Sequence, residues 1–206
     1  MRNYLIGFIT TLTLLFASIV NAADEAAVTL LKQVTNNMTT ALTAQHDAIQ
    51  KDPNLVLPII NQYVVPYIDF ETMSKQVLAR HWSTATPTQR TEFQKVFSQW
   101  AVLTYASAFL HYTDEKIEFG QVRPIGNYGK REEIRTLIKQ NNGTTIPVNY
   151  RMLNTASGWK AYDINVENVS LVTSFRMQID AEIKKKGLDK VITDLAARNQ
   201  KGLVKK

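Results

Sequence analysis

The chain holds few side chains able to do chemistry, and their spacing argues against most of it. His46, His81 and His111 are far apart, none stands at ligand spacing from another histidine or a carboxylate, and cysteine is absent, so no metal site is expected. A nucleophile elbow, a glycine-rich phosphate loop and a zinc-protease signature are also missing. Asp163 lies on an alternating segment, where a carboxylate in an apolar pocket would have a raised pKa and could act as a general base; a tyrosine could serve as acid or base. The commoner fate of such an aspartate is to face solvent or bond a loop amide. The sequons at Asn37, Asn142 and Asn168 occur often by chance and carry no assignment.

The start of the chain narrows the setting in which any function operates. Arg2 supplies a positive n-region, Tyr4 to Val20 form an apolar stretch, and Val20-Asn21-Ala22 places small groups at the -3 and -1 positions. This pattern predicts a secretory signal over residues 1–22, cleaved to leave a single domain over 23–206. Export removes ATP-driven chemistry from consideration. The lack of cysteine excludes a disulfide framework and lipidation on an N-terminal cysteine, so the mature chain is expected to diffuse freely. The formal net charge of +6 falls by one when Arg2 leaves with the signal. In an exported protein such a balance suits anionic membrane surfaces or acidic docking partners better than nucleic acid.

Positioning falls to two kinds of element. Val28, Leu31, Val34, Met38, Leu42 and Ile49 recur at helical spacing between Asp24 and about Gln50. Asp69 reads as the N-cap of a short helix to Leu78, and Thr86-Pro87-Thr88-Gln89 is a capping box that opens a long helix to about Tyr112. From Trp100 to Leu110 that helix is apolar around most of its circumference, which predicts enclosure on several sides. Beyond Asp114 the period becomes two. Lys116–Val122, Glu132–Gln140, Thr145–Leu153 and Trp159–Val166 read as strands, with Asn141-Asn142-Gly143 as a hairpin turn. Helices over Ser174–Lys186 and Leu188–Arg198 follow, separated by a stop at Gly187. Lys184, Lys185, Lys186, Lys201, Lys205 and Lys206 make this end basic, a pattern that usually means a solvated face and could also promote docking. The fold class expected is α+β, a curved antiparallel sheet of about four strands with one apolar face covered by helices.

Longer stretches carry a resemblance. Val65-Pro66-Tyr67-Ile68-Asp69-Phe70-Glu71-Thr72-Met73, then Val77-Leu78-Ala79-Arg80-His81-Trp82 and Ala85-Thr86-Pro87-Thr88-Gln89-Arg90 with Phe93 and Phe97, resemble the MlaC or toluene-tolerance family. Similarity continues at Thr104-Tyr105-Ala106 and Tyr112, at Ser157-Gly158-Trp159-Lys160-Ala161-Tyr162-Asp163-Ile164, and at Glu167-Asn168-Val169-Ser170-Leu171-Val172-Thr173. It closes at Gly187-Leu188-Asp189-Lys190-Val191, and Asn168 stands where the family usually has glycine. The resemblance implies a fold like that of nuclear transport factor two enclosing an apolar cavity. It also implies a soluble periplasmic phospholipid carrier, monomeric and without cofactor, that shuttles lipid between an outer-membrane lipoprotein complex and an inner-membrane ABC transporter. The lipid-binding wall is expected from Val102, Tyr105, Phe109, Val148, Tyr150, Tyr162, Ile164, Val169 and Leu171. Two other readings stand beside it: a small periplasmic enzyme on the same fold using Asp163 or a tyrosine, and an adaptor with a solid core that binds no lipid.

Overall fold

Alternation in the second half of the chain folds into one antiparallel sheet. A computed structural model describes residues 20–110, 115–126 and 129–203. The strands are β1 (Lys116–Pro124), β2 (Arg131–Lys139), β3 (Thr145–Thr155), β4 (Gly158–Val166) and β5 (Val169–Ser170), ordered β1-β2-β3-β4-β5. The sheet thus has a fifth, two-residue strand where about four were expected. β5 exists because Glu167 and Asn168, with φ of 50° and 67°, make a tight turn that brings Val169 back against Val166. Asparagine is among the few residues other than glycine that tolerate this left-handed backbone, so Asn168 keeps the turn at the position where glycine was expected. At the β2–β3 hairpin the amide of Gly143, with φ of 86°, donates to the Gln140 carbonyl at 3.0 Å.

The helices lie against the sheet's apolar side. They are α1 (Val20–Ala44), α2 (His46–Lys51), α3 (Val56–Tyr63), α4 (Phe70–Leu78), α5 (Arg80–Thr84), α6 (Pro87–Ala106), α7 (Leu171–Lys186) and α8 (Leu188–Asn199). The single helix expected over Asp24–Gln50 is broken at Gln45, and the long helix ends in a 3-10 turn at Ser107–Phe109. The predicted signal lies largely outside the described residues, and its cleavage point after Ala22 falls in the first turn of α1. His111, Tyr112, Lys205 and Lys206 also lie outside them. No helix of the described residues is long and apolar enough to cross a membrane.

Capping fixes where the helices start. Thr86 and Gln89 form the reciprocal capping box with Pro87 at the first helical position, and Asp69 accepts from the Thr72 amide at 2.9 Å. Asp69 also ties its helix to the sheet, since its amide donates to the Ala161 carbonyl at 2.8 Å. Phe175 then locks α7 to α6, with its ring centroid 5.2 Å from Phe97, 4.7 Å from Trp100 and 5.8 Å from Tyr105. Such aromatic contacts add to the burial of each ring.

Lys184 and Lys186 form ion pairs within the fold. Lys184 pairs with Asp180 at 2.8 Å, and Lys186 is shared between Glu182 at 2.6 Å and Asp194 at 2.5 Å, joining α7 to α8. Lys184, His81 and Arg80 together hold the Asp180 carboxyl well below the usual carboxylate range, while Lys186 and Lys190 pull Asp194 down to about 2. Of the three lysines expected at a docking face, Lys186 thus ties α7 to α8, while Lys184 pairs within α7.

Between α4 and α5 the chain turns through Ala79 at φ 46° and ψ −115°. Glycine adopts this backbone without steric cost and alanine does not, so the site stores strain. Ala79→Gly should raise stability by about 1 kcal/mol in urea unfolding, the relief of strain outweighing the added unfolded-state entropy. Unchanged or reduced stability would show that alanine is relaxed there.

Candidate functional site

The buried apolar residues form three clusters that do not merge. One joins α4, α6, α7 and α8 around Phe93, Phe97 and Phe175; a second joins α1, α2, α3 and the end of α6 through Met38, Leu42, Ile49, Ile59 and Ala106. The third packs the start of α1 on the sheet through Ala27, Leu31, Ile134, Met152 and Trp159. Where they meet, protein atoms leave a cavity of about 390 Å³. That volume lies within the range of small-molecule sites, and dense side-chain packing would normally fill such a space.

The walls follow from the pleat and from one helix. On the sheet Ile117, Ile138, Ile146, Val148, Tyr150, Ile164 and Val166 face inward. Opposite them α1 presents Leu31, Val34, Thr35, Met38, Thr39 and Leu42, whose spacing places them along one helical stripe. Tyr67, Ile68, Tyr105, Ala108, Phe109 and Leu171 complete the lining. Glu115 and Gln140, just outside the Lys116↔Lys139 pair that ends the β1–β2 ladder, make one end polar, whereas Leu31, Ile68 and Ala161 make the other apolar. Among the described residues the lining includes no arginine or lysine.

Six of the nine expected wall residues come together here: Tyr105, Phe109, Val148, Tyr150, Ile164 and Leu171. Three do not. Val169 is 56% exposed because the tight turn carries it to the sheet's far edge. Tyr162 falls out of phase because Arg151 pairs with Asp163 and Met152 with Ala161, which leaves Tyr162 as the extra residue of a β-bulge. It is buried elsewhere, with the Arg131 guanidinium 5.6 Å from its ring centroid. Val102 turns the other way on α6, into a separate groove of about 840 Å³ between α3, α6 and α8, rimmed by Glu92, Lys95, Gln99 and Asn199. The second half of α6 is apolar on several sides because it borders two spaces, and Thr104, Ser107 and Ala108 remain exposed. The α1 stripe was absent from the expected wall although its periodicity was plain; periodicity shows that a face is apolar without showing what lies against it.

Asp163 is not among the residues that line the cavity. Only 2% exposed, it accepts from the Ser170 hydroxyl at 2.8 Å, from the amides of Ile164 at 2.9 Å and Val172 at 3.2 Å, and from Arg151 at 3.4 Å. Ser170 in turn accepts from the Thr173 amide at 3.0 Å. The carboxylate therefore closes the N-terminus of α7 and clamps it to β4. Tyr150, facing the cavity, is shifted by burial up to about 12 and stays a neutral phenol at physiological pH. No group of three His, Cys, Asp or Glu that could hold a metal occurs among the described residues.

Comparison with known proteins agrees with this geometry. The model of the MlaC protein family matches residues 32–197. The chain belongs to the MlaC family. Relatives include the intermembrane phospholipid transport system binding protein MlaC of Haemophilus influenzae, 26% identical over 84% of this chain and 82% of that one. A toluene tolerance protein of Pseudomonas putida is 28% identical over 73% of this chain and 71% of its own length. A phospholipid-binding protein from Ralstonia solanacearum, solved in complex with a phospholipid, superposes with a TM-score of 0.75 at 25% identity, covering 85% of this chain and 97% of that one. The match to the MlaC family runs from the middle of α1 through most of α8, and so includes every cavity-lining residue except Leu31.

Tyr150 offers a test of how dry the cavity is. A folded-state pKa raised from 10.0 to about 12 gives a stabilising contribution that is complete below pH 10 and lost as pH rises to about 12. Wild type should therefore lose stability relative to Tyr150→Phe across that window, with the Tyr150 phenolate absorbance appearing only near its upper end. A phenolate formed at pH 10 would mean the cavity is wet.

Proposed function

We propose that this protein is a periplasmic phospholipid carrier that holds acyl chains in the cavity between α1 and the sheet. The observation that carries the reading is the cavity itself, an unfilled apolar space with one polar end in a chain of the MlaC family. Each buried methylene contributes roughly 0.8 kcal/mol, so lipid tails cannot cross water unescorted at a useful rate. A carrier needs apolar walls for the tails and an outlet that leaves the head group wet, which Glu115 and Gln140 would provide. It needs no catalytic group, and Asp163 and Tyr150 are committed to structure and to the wall. The phospholipid complex of the Ralstonia solanacearum protein supports the same reading. The mature chain would begin after Ala22, take no cofactor, and exchange cargo as a monomer with an inner-membrane ABC transporter and an outer-membrane lipoprotein complex, the partners implied by the family resemblance.

The cavity assignment is tested by paired charge substitutions. An ion facing hydrocarbon is costly to desolvate, so Ile164→Glu should expel the lipid, while Val169→Glu on the exposed turn should leave it in place. Copurified phospholipid, quantified after organic extraction of protein prepared without detergent, should fall at least about tenfold in the first variant only. Equal loss in both, or in neither, would mean that the tails lie elsewhere.

With no arginine or lysine among the described lining residues, recognition of the head group should be weak beside burial of the tails. The classes of bound phospholipid should accordingly track those of the membrane from which the protein is isolated. Strong enrichment of one head group would contradict this.

A further inference from the structure

The side of the sheet opposite the cavity carries a charge pattern that the carrier reading does not use. Residues paired across antiparallel strands share a face, so the register places Arg123, Glu133, Arg151 and Asp163 in one row across β1 to β4. Arg131 and Arg135 flank this row along β2, with Lys139 further on. This part of the sheet is open among the described residues: Arg135 and Arg151 keep side-chain exposures of 42% and 41%, and Leu137 beside them is 41% exposed. Asp163 is buried and committed to α7, so the basic side chains outnumber the available carboxylates.

We propose that this outer sheet face is a docking surface for an acidic protein surface. Beside Lys116, Lys139 and Lys160 the face carries Arg123, Arg131, Arg135 and Arg151, and arginine is enriched in protein interfaces and has a planar fork that suits carboxylates. Glu133 lies 3.6 Å from the Nε atoms of both Arg135 and Arg151, and neither Nε makes a hydrogen bond. The two guanidinium groups thus flank one carboxylate on a pleated strand pair and remain partly exposed to a partner. A lipid bilayer fits the pattern less well. Among the described residues this face offers only Leu137 as an exposed large hydrophobic group and no exposed aromatic ring to anchor in a head-group layer. The position also has a mechanical consequence. A partner seated on the outer face leaves α1 and the cavity's polar end unobstructed, so docking and lipid exchange can proceed at once.

The test rests on the carrier reading, because its probe is the purified ABC lipid transporter of the same bacterium, held in phosphatidylcholine nanodiscs. Association rates would be measured for wild type, Arg123→Glu/Arg135→Glu and the milder Arg123→Gln/Arg135→Gln, with Lys185→Glu as a charge control. Arg151 is left intact because it bonds Asp163. Charge reversal should slow association at least about tenfold, neutralisation less, and the control little, with the differences shrinking as salt is added. Copurified lipid should stay unchanged in all variants. Equal rates in every protein, or no binding by wild type, would overturn the docking assignment while leaving the carrier reading intact if lipid is still bound. Loss of binding to phosphatidylglycerol vesicles with transporter association preserved would also overturn it, in favour of a membrane contact. Absence of lipid from wild type would count against the carrier reading instead.

Discussion

The apolar inner face of the antiparallel sheet is the constraint on which the rest of the structure depends. Ile117, Ile138, Ile146, Val148, Ile164 and Val166 cannot be left to water, yet the helices that cover them do not fill the space above them. Three separate packed clusters brace the walls from outside, and the space where they meet stays open. A carrier that held its tails in a collapsed core would have to unpack side chains at every exchange. Bracing the walls and leaving their junction empty lets cargo replace missing protein contacts.

Holding those walls apart requires rigid links at the sheet edge. The bulge at Tyr162 reverses the phase of β4, so that Ala161 and Ile164 both face the cavity while Asp163 points to the other side. From there Asp163 collects the amide of Val172 and the hydroxyl of Ser170, turning the chain directly from β5 into α7. The aromatic contacts of Phe175 then carry the constraint to α6, whose end supplies Tyr105 to the wall. One irregularity of pairing thus sets both the composition of the wall and the anchorage of the helix behind it.

Much of this was legible in the residues. The capping box at Thr86–Gln89, the Asp69 cap, the Gly187 stop and the two-residue alternation of the strands are local signals, and each appears in the structure where its chemistry requires it. Tyr162 and Val169 were misplaced because alternation assumes an unbroken register, and neither a bulge nor a two-residue return strand has a strong signature in composition. Val102 was misplaced for another reason: an apolar helix face can border either of two spaces, and only tertiary packing decides which. Asp163 read as a possible base because burial and charge are visible in sequence, whereas the four donors that satisfy it come from three different segments.

The central claim, that the cavity exists to hold intact phospholipid, is tested most directly by native mass spectrometry of the mature protein purified without detergent. The account predicts a dominant species heavier than the polypeptide by the mass of a diacyl phospholipid, which dissociates as the unmodified lipid on activation. A spectrum of the bare polypeptide would contradict it and favour an adaptor with no cargo, and recovery of lysolipid or free fatty acid in place of the intact molecule would point to catalysis.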